Sequence, residues 1–195
     1  SWFLAGTERK ADSMVYEAKT VLLKNGREAV LRAPSQADAA ALKDFMVRCY
    51  GETEFLTKYP EEFTITLQQE QAYLEKNIAS STEMMIICTV DGELAGNCQI
   101  NFKTGLKAKH RASVSIALLK KFWGIGIGAA MLQELLAVAE KQGATQVELA
   151  CLEGNQRALA LYTKLGFTPV ASLPNAYRLK DGTSLGEITM VKQLG

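Results

Sequence analysis

The sequence predicts one α/β (α+β) domain built on a mixed, mostly antiparallel sheet flanked by helices. Three observations predict it. The dipeptides Asn25-Gly26, Asp91-Gly92 and Asp181-Gly182 each separate two runs of strand-forming residues, the pattern of a β-hairpin. Between the last two hairpins the pattern changes to strand–helix–strand–helix, which makes the sheet mixed. The chain has 195 residues, 48% of them hydrophobic, enough for one domain with a sizeable core. No repeat, low-complexity linker or composition break divides it.

The elements follow in order. Residues 1–13 read as a disordered leader, with Met14 a candidate start; "SWFLAG" lacks the basic start and long apolar stretch of a signal peptide. Residues 14–34 hold the N-terminal hairpin, "TVLLKNGREAVLRA". "PSQADAAALKDFMVRCY" reads as a helix capped by Ser35, and residues 66–78 as a second. "EMMIICTVDGELAGNCQINF" is a hairpin turning at Asp91-Gly92, and "HRASVSIALL" is a strand. Over residues 126–142, Leu132, Leu135, Leu136 and Ala139 recur at i, i+3, i+4 and i+7, the core-facing stripe of a helix. "TQVELACL" is a further strand. "NQRALALYTKLG" is a helix opened by Asn155 as cap and stopped by Gly166. "YRLKDGTSLGEITMVK" closes the chain as the third hairpin.

Composition excludes several function classes. Net charge is +1 with both signs interspersed, so no basic field favours nucleic acid. The longest apolar runs, such as "MMIIC", are too short to cross a membrane. Cys49, Cys88, Cys98 and Cys151 lie scattered without a C-x-x-C pair, and His110 is the one histidine. That pattern gives neither a metal site nor a disulfide framework; it reads as four reduced thiols in a cytoplasmic protein.

The chemistry concentrates in "KKFWGIGIGAAML", residues 120–132, where Gly124, Gly126 and Gly128 fall within five positions. Glycine costs roughly 0.5–1 kcal/mol against alanine in regular structure, so three of them point to something that must approach the backbone. A glycine-rich turn from strand into helix aims several N–H groups and the positive helix terminus at one point, an anion site. The plain alternative is a tight turn that packs the helix close to the sheet. A Walker lysine is absent, since no G-K-[ST] follows. Gly124, Gly126 and Ala129 satisfy G-x-G-x-x-A, with Glu148 downstream, but "KKFW" separates them from the strand and Glu148 falls in mid-strand. This is not the layout of a dinucleotide site.

Together with "LEGNQRALALYTKLGF" (152–167), this stretch resembles the acetyl-CoA-binding half of the GNAT superfamily of N-acetyltransferases. Trp123, Gly126 and Gly128 occupy the positions of that superfamily's Q/R-x-x-G-x-G/A motif. Asn155, Ala158, Leu161, Tyr162, Gly166 and Phe167 match its N-x-x-A-x-x-L-Y-x-x-x-G-F stretch. Element order resembles the GNAT core over residues 28–193. The resemblance implies a splayed central strand pair with acetyl-CoA in the gap. The pyrophosphate would sit on N–H groups of residues 124–129, so that Gly124, Ile125, Gly126, Ile127, Gly128 and Ala129 bind through backbone. The pantetheine would pair with the strand end around Ile116 to Lys120, including Leu118, Leu119 and Lys120. Trp123 departs from the motif's Arg or Gln, while Lys120 and Lys121 either offset phosphate charge or are simply solvated.

The resemblance also gives roles. Asn155 either caps its helix alone or caps it and hydrogen-bonds the pantetheine arm; Tyr162, seven residues on and on the same side, protonates the departing CoA thiolate or is a core tyrosine. Where many relatives place a Glu before the Asn helix, this chain has Ala150, so the base is left among Glu148, Glu153, His110 and water. The expected activity is transfer of acetyl from acetyl-CoA to a primary amine of a small molecule or of a peptide or protein. The alternative is a non-catalytic CoA-binding module of the same fold. The acceptor site is expected between residues 36–78 and the closing hairpin, where "GETEF" and "YPEEF" are acidic. A homodimer is left open.

Overall fold

The computed structural model describes residues 12–195; most of the expected leader, residues 1–11, lies outside the described residues. Eight strands form one sheet in the order β1-β2-β3-β4-β5-β6-β8-β7. They are β1 (Lys19–Leu22), β2 (Glu28–Arg32), β3 (Glu83–Val90), β4 (Glu93–Phe102), β5 (Arg111–Leu118), β6 (Gln146–Leu152), β7 (Thr168–Arg178) and β8 (Ser184–Gln193). All neighbours run antiparallel except β5 and β6, which are parallel. The helices are α1 (Ala39–Glu52), α2 (Leu67–Ile78), α3 (Ile127–Lys141) and α4 (Gln156–Lys164).

Successive strand residues point to opposite faces, and that alternation locates the helices. On β4, Asn97 meets Met46 of α1 and Gln99 meets Tyr73 of α2. Gly96 and Cys98 instead face Met131 of α3. α1 and α2 therefore cover one face and α3 the other. That double cover explains why β3 is buried at nearly every position. α3 buries Leu132, Leu135, Leu136 and Ala139, the stripe its sequence pattern predicts, and Met131 beside them. α1 is preceded by a 3₁₀ turn, Gln36–Asp38, where Asp38 accepts a hydrogen bond from the Ser35 N–H at 2.7 Å. Thr66 caps α2 by accepting from the Gln69 N–H.

The three Gly-containing turns are of two kinds. Asp91 and Gly92 both have positive φ, and Val90 pairs with Glu93, so this hairpin has the expected two-residue turn. Asn25 does not enter the left-handed region; Gly26 alone does, with Leu23 and Arg27 closing a three-residue loop. Gly182, between Leu179 and Thr183, repeats that arrangement. β7 begins nine residues before the strand expected from Tyr177. Pro169 and Pro174 interrupt its alternation, and its ladder shifts register twice; an edge strand tolerates both because one side needs no partner.

Cys49, Cys88, Cys98 and Cys151 are all buried and unbridged. Among the described residues no helix is long and apolar enough to cross a membrane.

Candidate active site

β5 and β6 pair over only three residues, Arg111 with Gln146, Ala112 with Val147 and Ser113 with Glu148, and then separate. The His110 carbonyl accepts from Thr145 and Gln146, and the Leu119 N–H donates to the Ala95 carbonyl on the β4 side. By alternation, the Val114 N–H closes the last rung against Glu148, and Ile116 and Leu118 turn their backbone groups toward β6 where no strand meets them. The gap opens on the α1–α2 face, so Ser115 and Ala150 are exposed in mid-sheet. A cavity of about 510 Å³ lies there, walled by α1, α2, β4, β5, the end of β6 and α4.

At the far end of β5 the chain turns into α3. Gly124 (φ 77°) and Gly126 (φ 98°) hold left-handed conformations that a β-branched side chain resists. Gly126 caps α3, and the first helical bond runs from the Ala130 N–H to its carbonyl. The N–H groups of Ile127, Gly128 and Ala129 thus have no partner within the helix. The Lys24 N–H donates to the Ile125 carbonyl at 3.1 Å, and the Lys24 side chain packs near Gly126, so the N-terminal hairpin supports this loop. Gly128 serves another purpose. A Cβ there would stand 3.0 Å from Leu161 of α4 and 3.4 Å from Leu118, so this glycine is needed for close packing.

The expected strand-end contacts are narrower than residues 116–120. Leu119 is buried and bonded into β4, and the Lys120 N–H is held by Glu52 of α1 at 2.7 Å. The Leu118 carbonyl accepts from the Trp123 indole N–H at 3.1 Å. Ile116 and the Leu118 N–H remain. Trp123 lies under the Arg157 guanidinium, 3.6 Å from the ring centroid, and Lys120 approaches the same ring at 5.8 Å. Arg157 has no carboxylate partner among the described residues, and burial lowers its pKa. Sequence reasoning missed it. The signal was an arginine in the first turn of the helix that Asn155 opens, a helix whose N-terminus borders the glycine loop.

Asn155 caps α4, its Oδ1 accepting from the Ala158 N–H at 3.3 Å. It also lines the gap, as does Tyr162. Tyr162 is 8% exposed, stacks edge-on against Phe167 at 6.2 Å, and its hydroxyl has no protein hydrogen-bond partner among the described residues. Burial pushes its pKa up to about 12; Cys151 adds to the rise and Arg157 opposes it. α4 ends as expected, with Gly166 at φ 93° and Phe167 bonding back to the Tyr162 carbonyl.

None of the three candidate bases lines the cavity. Glu148 does share a face with Ala150, but Arg111 grips it bidentately, and that pairing holds its carboxyl below the usual range. Glu153 accepts from the Gly186 N–H at 3.2 Å. His110 sits at the closed end of the β5–β6 pair. The carboxylates that do line the cavity are Glu70 of α2 and Glu187 of β8. Glu187 accepts from the Tyr177 hydroxyl. Glu70 shares a helical face with buried Leu74 and Asn77, a stripe with polar residues at two of its three core positions.

The sheet thus opens between two parallel strands, with a glycine-capped helix at the mouth of the gap. The sequence model of the acetyltransferase (GNAT) family matches residues 46–167, and the chain belongs to that family. It is 34% identical over 100 residues to an N-alpha-acetyltransferase of Sulfurisphaera tokodaii, a match spanning 47% of this chain and 60% of that protein. The fold is similar to that of a GNAT-family acetyltransferase from Streptococcus pneumoniae, with a TM-score of 0.80 and 24% identity over 85% of this chain and 99% of the other. The Salmonella typhimurium protein yncA, solved with its cofactor acetyl-CoA, has a TM-score of 0.74 at 20% identity, covering 86% and 94% of the two chains. At these identities the structural likenesses speak for fold alone.

Proposed function

We propose that the protein transfers an acetyl group from acetyl-CoA to a primary amine. The observation that carries this reading is the gap itself, where Ile116 leaves strand backbone unpaired beside a cavity that Tyr162 lines. The residues fit the cosubstrate. Unpaired N–H groups of Ile127, Gly128 and Ala129, at the positive end of α3, suit a pyrophosphate. Arg157, stacked on Trp123, supplies positive charge beside the motif position that lacks its arginine. Ile116 and the Leu118 N–H offer an edge on which an amide-bearing arm can pair like a strand.

The roles of the residues follow. Backbone N–H groups on β5 donate to the thioester oxygen as negative charge gathers there, in a water-poor cleft where such bonds are strongest. Tyr162 is protonated through the neutral range, as any tyrosine is, and it donates to the sulfur as the C–S bond breaks. A phenol near 12 does not readily surrender its proton to a thiolate whose own pKa is about 8.5, so its contribution is a hydrogen bond that strengthens as charge develops. Asn155 keeps its amide nitrogen for the arm while its oxygen caps the helix. Four buried free thiols support a reducing, cytoplasmic setting.

Thiol release from acetyl-CoA over a panel of amines, with mass detection of the acetylated product, tests the reading. CoA is expected to stabilise the fold by about 2.7 kcal/mol at a hundredfold excess over Kd. Stabilisation without turnover on any amine would leave a CoA-binding module instead.

A further inference from the structure

Within the same cavity, and resting on the acetyltransferase reading, we infer that Glu70 recognises the ammonium group of a small acceptor with an apolar body. Glu70 is 6% exposed and lines the cavity, yet no protein donor bonds its carboxylate and no cation lies within salt-bridge reach among the described residues. Asn97, across the cavity on β4, buries an Oδ1 that also has no partner. Proteins seldom keep a buried carboxylate unpaired, because removing its water without a replacement is costly. Burial raises the Glu70 carboxyl above the usual carboxylate range, and the Lys43 charge opposes that rise without pairing.

The missing partner has a defined chemistry. A carboxylate and an amide oxygen are both acceptors, so the complement is a group with several N–H donors and positive charge; a primary ammonium has three donors and no acceptor. Tyr50, Phe55, Phe63 and Tyr73 wall the cavity, surfaces that suit an apolar body and attract a cation through their faces. The amine in the proposed reaction arrives as an ammonium at neutral pH and has just this chemistry; it gives a proton to solvent water before its nitrogen attacks the thioester carbonyl.

The cavity, about 510 Å³, has the size of a small-molecule pocket and so favours a compact acceptor. The segment joining α1 and α2, which supplies Phe55 and Phe63, is tied to the β7–β8 turn. The Lys180 N–H donates to the Tyr59 hydroxyl at 2.8 Å, and the Lys180 ammonium pairs with Glu61 and lies 4.2 Å from the Tyr59 ring centroid. This clasp fixes the segment that carries both aromatic walls.

Phenethylamine, with a single ammonium on an aromatic body, is the probe. Calorimetry on the CoA-saturated protein is expected to detect its binding, and Glu70→Gln to weaken that binding at least about tenfold while CoA affinity stays unchanged. Acetylation of phenethylamine should fall at least as far in kcat/KM, mostly through KM. Asn97→Ala should shift both in the same direction by less. Glu70→Gln should also raise the melting temperature of the ligand-free protein, since it removes an uncompensated buried charge; a purely structural carboxylate would lower it. Equal affinity for phenethylamine in wild type and Glu70→Gln would overturn the assignment. So would a CoA-saturated wild type that binds none, or a free-N-terminus peptide acetylated with higher kcat/KM. Failure of CoA itself to bind would instead bring down the acetyltransferase reading beneath it.

Discussion

On the β5–α3 side of the cleft, residues 116–129 offer backbone: strand groups without a strand partner at Ile116 and Leu118, and helix N–H groups without a carbonyl. On the α1–α2 side, Tyr50, Glu70, Tyr73 and Asn97 offer side chains from three separate elements. The difference decides what each wall leaves in the sequence. A backbone site needs particular φ values and close approach, so it writes glycines at fixed spacing within a few residues. A side-chain site needs only that distant residues converge after folding, and it writes nothing local. The first wall is suited to the part of a substrate that never varies, the second to the part that defines specificity.

Substitutions can test this contrast, and the largest effect is expected on the backbone wall. Gly126→Val forces a β-branched residue into φ near +98° at the helix cap, and CoA affinity should drop on the order of 10²-fold or more. Calorimetry on a folded variant with unchanged affinity would reduce the loop to a packing turn. Tyr162→Phe keeps the ring against Phe167 and removes only the hydroxyl. Acetyl-CoA affinity should hold while kcat falls by about 10²-fold, the low end for losing one hydrogen bond to developing charge. Full kcat under conditions where chemistry limits the rate would make Tyr162 a core residue only.

Arg157→Ala removes the guanidinium from the Trp123 face without touching any glycine. CoA binding should weaken by about tenfold, and its salt dependence should flatten, because one charge-assisted contact is lost. A salt slope identical to wild type would mean that Arg157 only stacks. The smallest effect belongs to Glu148. Its folded pKa is depressed by Arg111, so the ion pair stabilises the protein above the ordinary Glu value near 4.3 and is lost as pH falls through the lower folded value. Glu148→Gln should therefore cost about 1 kcal/mol or less at pH 7 and nothing in strong acid, since the pair is partly exposed. The pH profile of kcat/KM should not move. A lost acidic limb there would restore Glu148 as the base.

The same contrast explains what the sequence made legible. Three glycine turns marked the hairpins, although only Asp91-Gly92 formed the two-residue type, because Asn25 and Asp181 kept negative φ. The start of β7 was hidden by Pro169 and Pro174, whose meaning depends on an edge position that only the assembled sheet defines. Gly124, Gly126, Asn155 and Tyr162 were legible as a set. Glu70 was not: in a helix as polar as α2, nothing but its neighbours in space distinguishes it from Glu75. The bases considered from sequence fell outside the cavity because strand alternation gave the correct face for Glu148 but not the arginine that occupies it.

The short junction between β5 and β6 has a mechanical consequence. Two antiparallel ladders, β1 to β5 and β6 to β8, meet across three residue pairs, whereas β4–β5 and β6–β8 each register seven. The sheet therefore has a seam, and hydrogen exchange in the ligand-free protein should reveal two blocks that open separately along it. A pantetheine arm laid against Ile116 would act as a rivet across that seam. The two blocks would then open together, and a substrate would set the cooperativity of the fold that binds it.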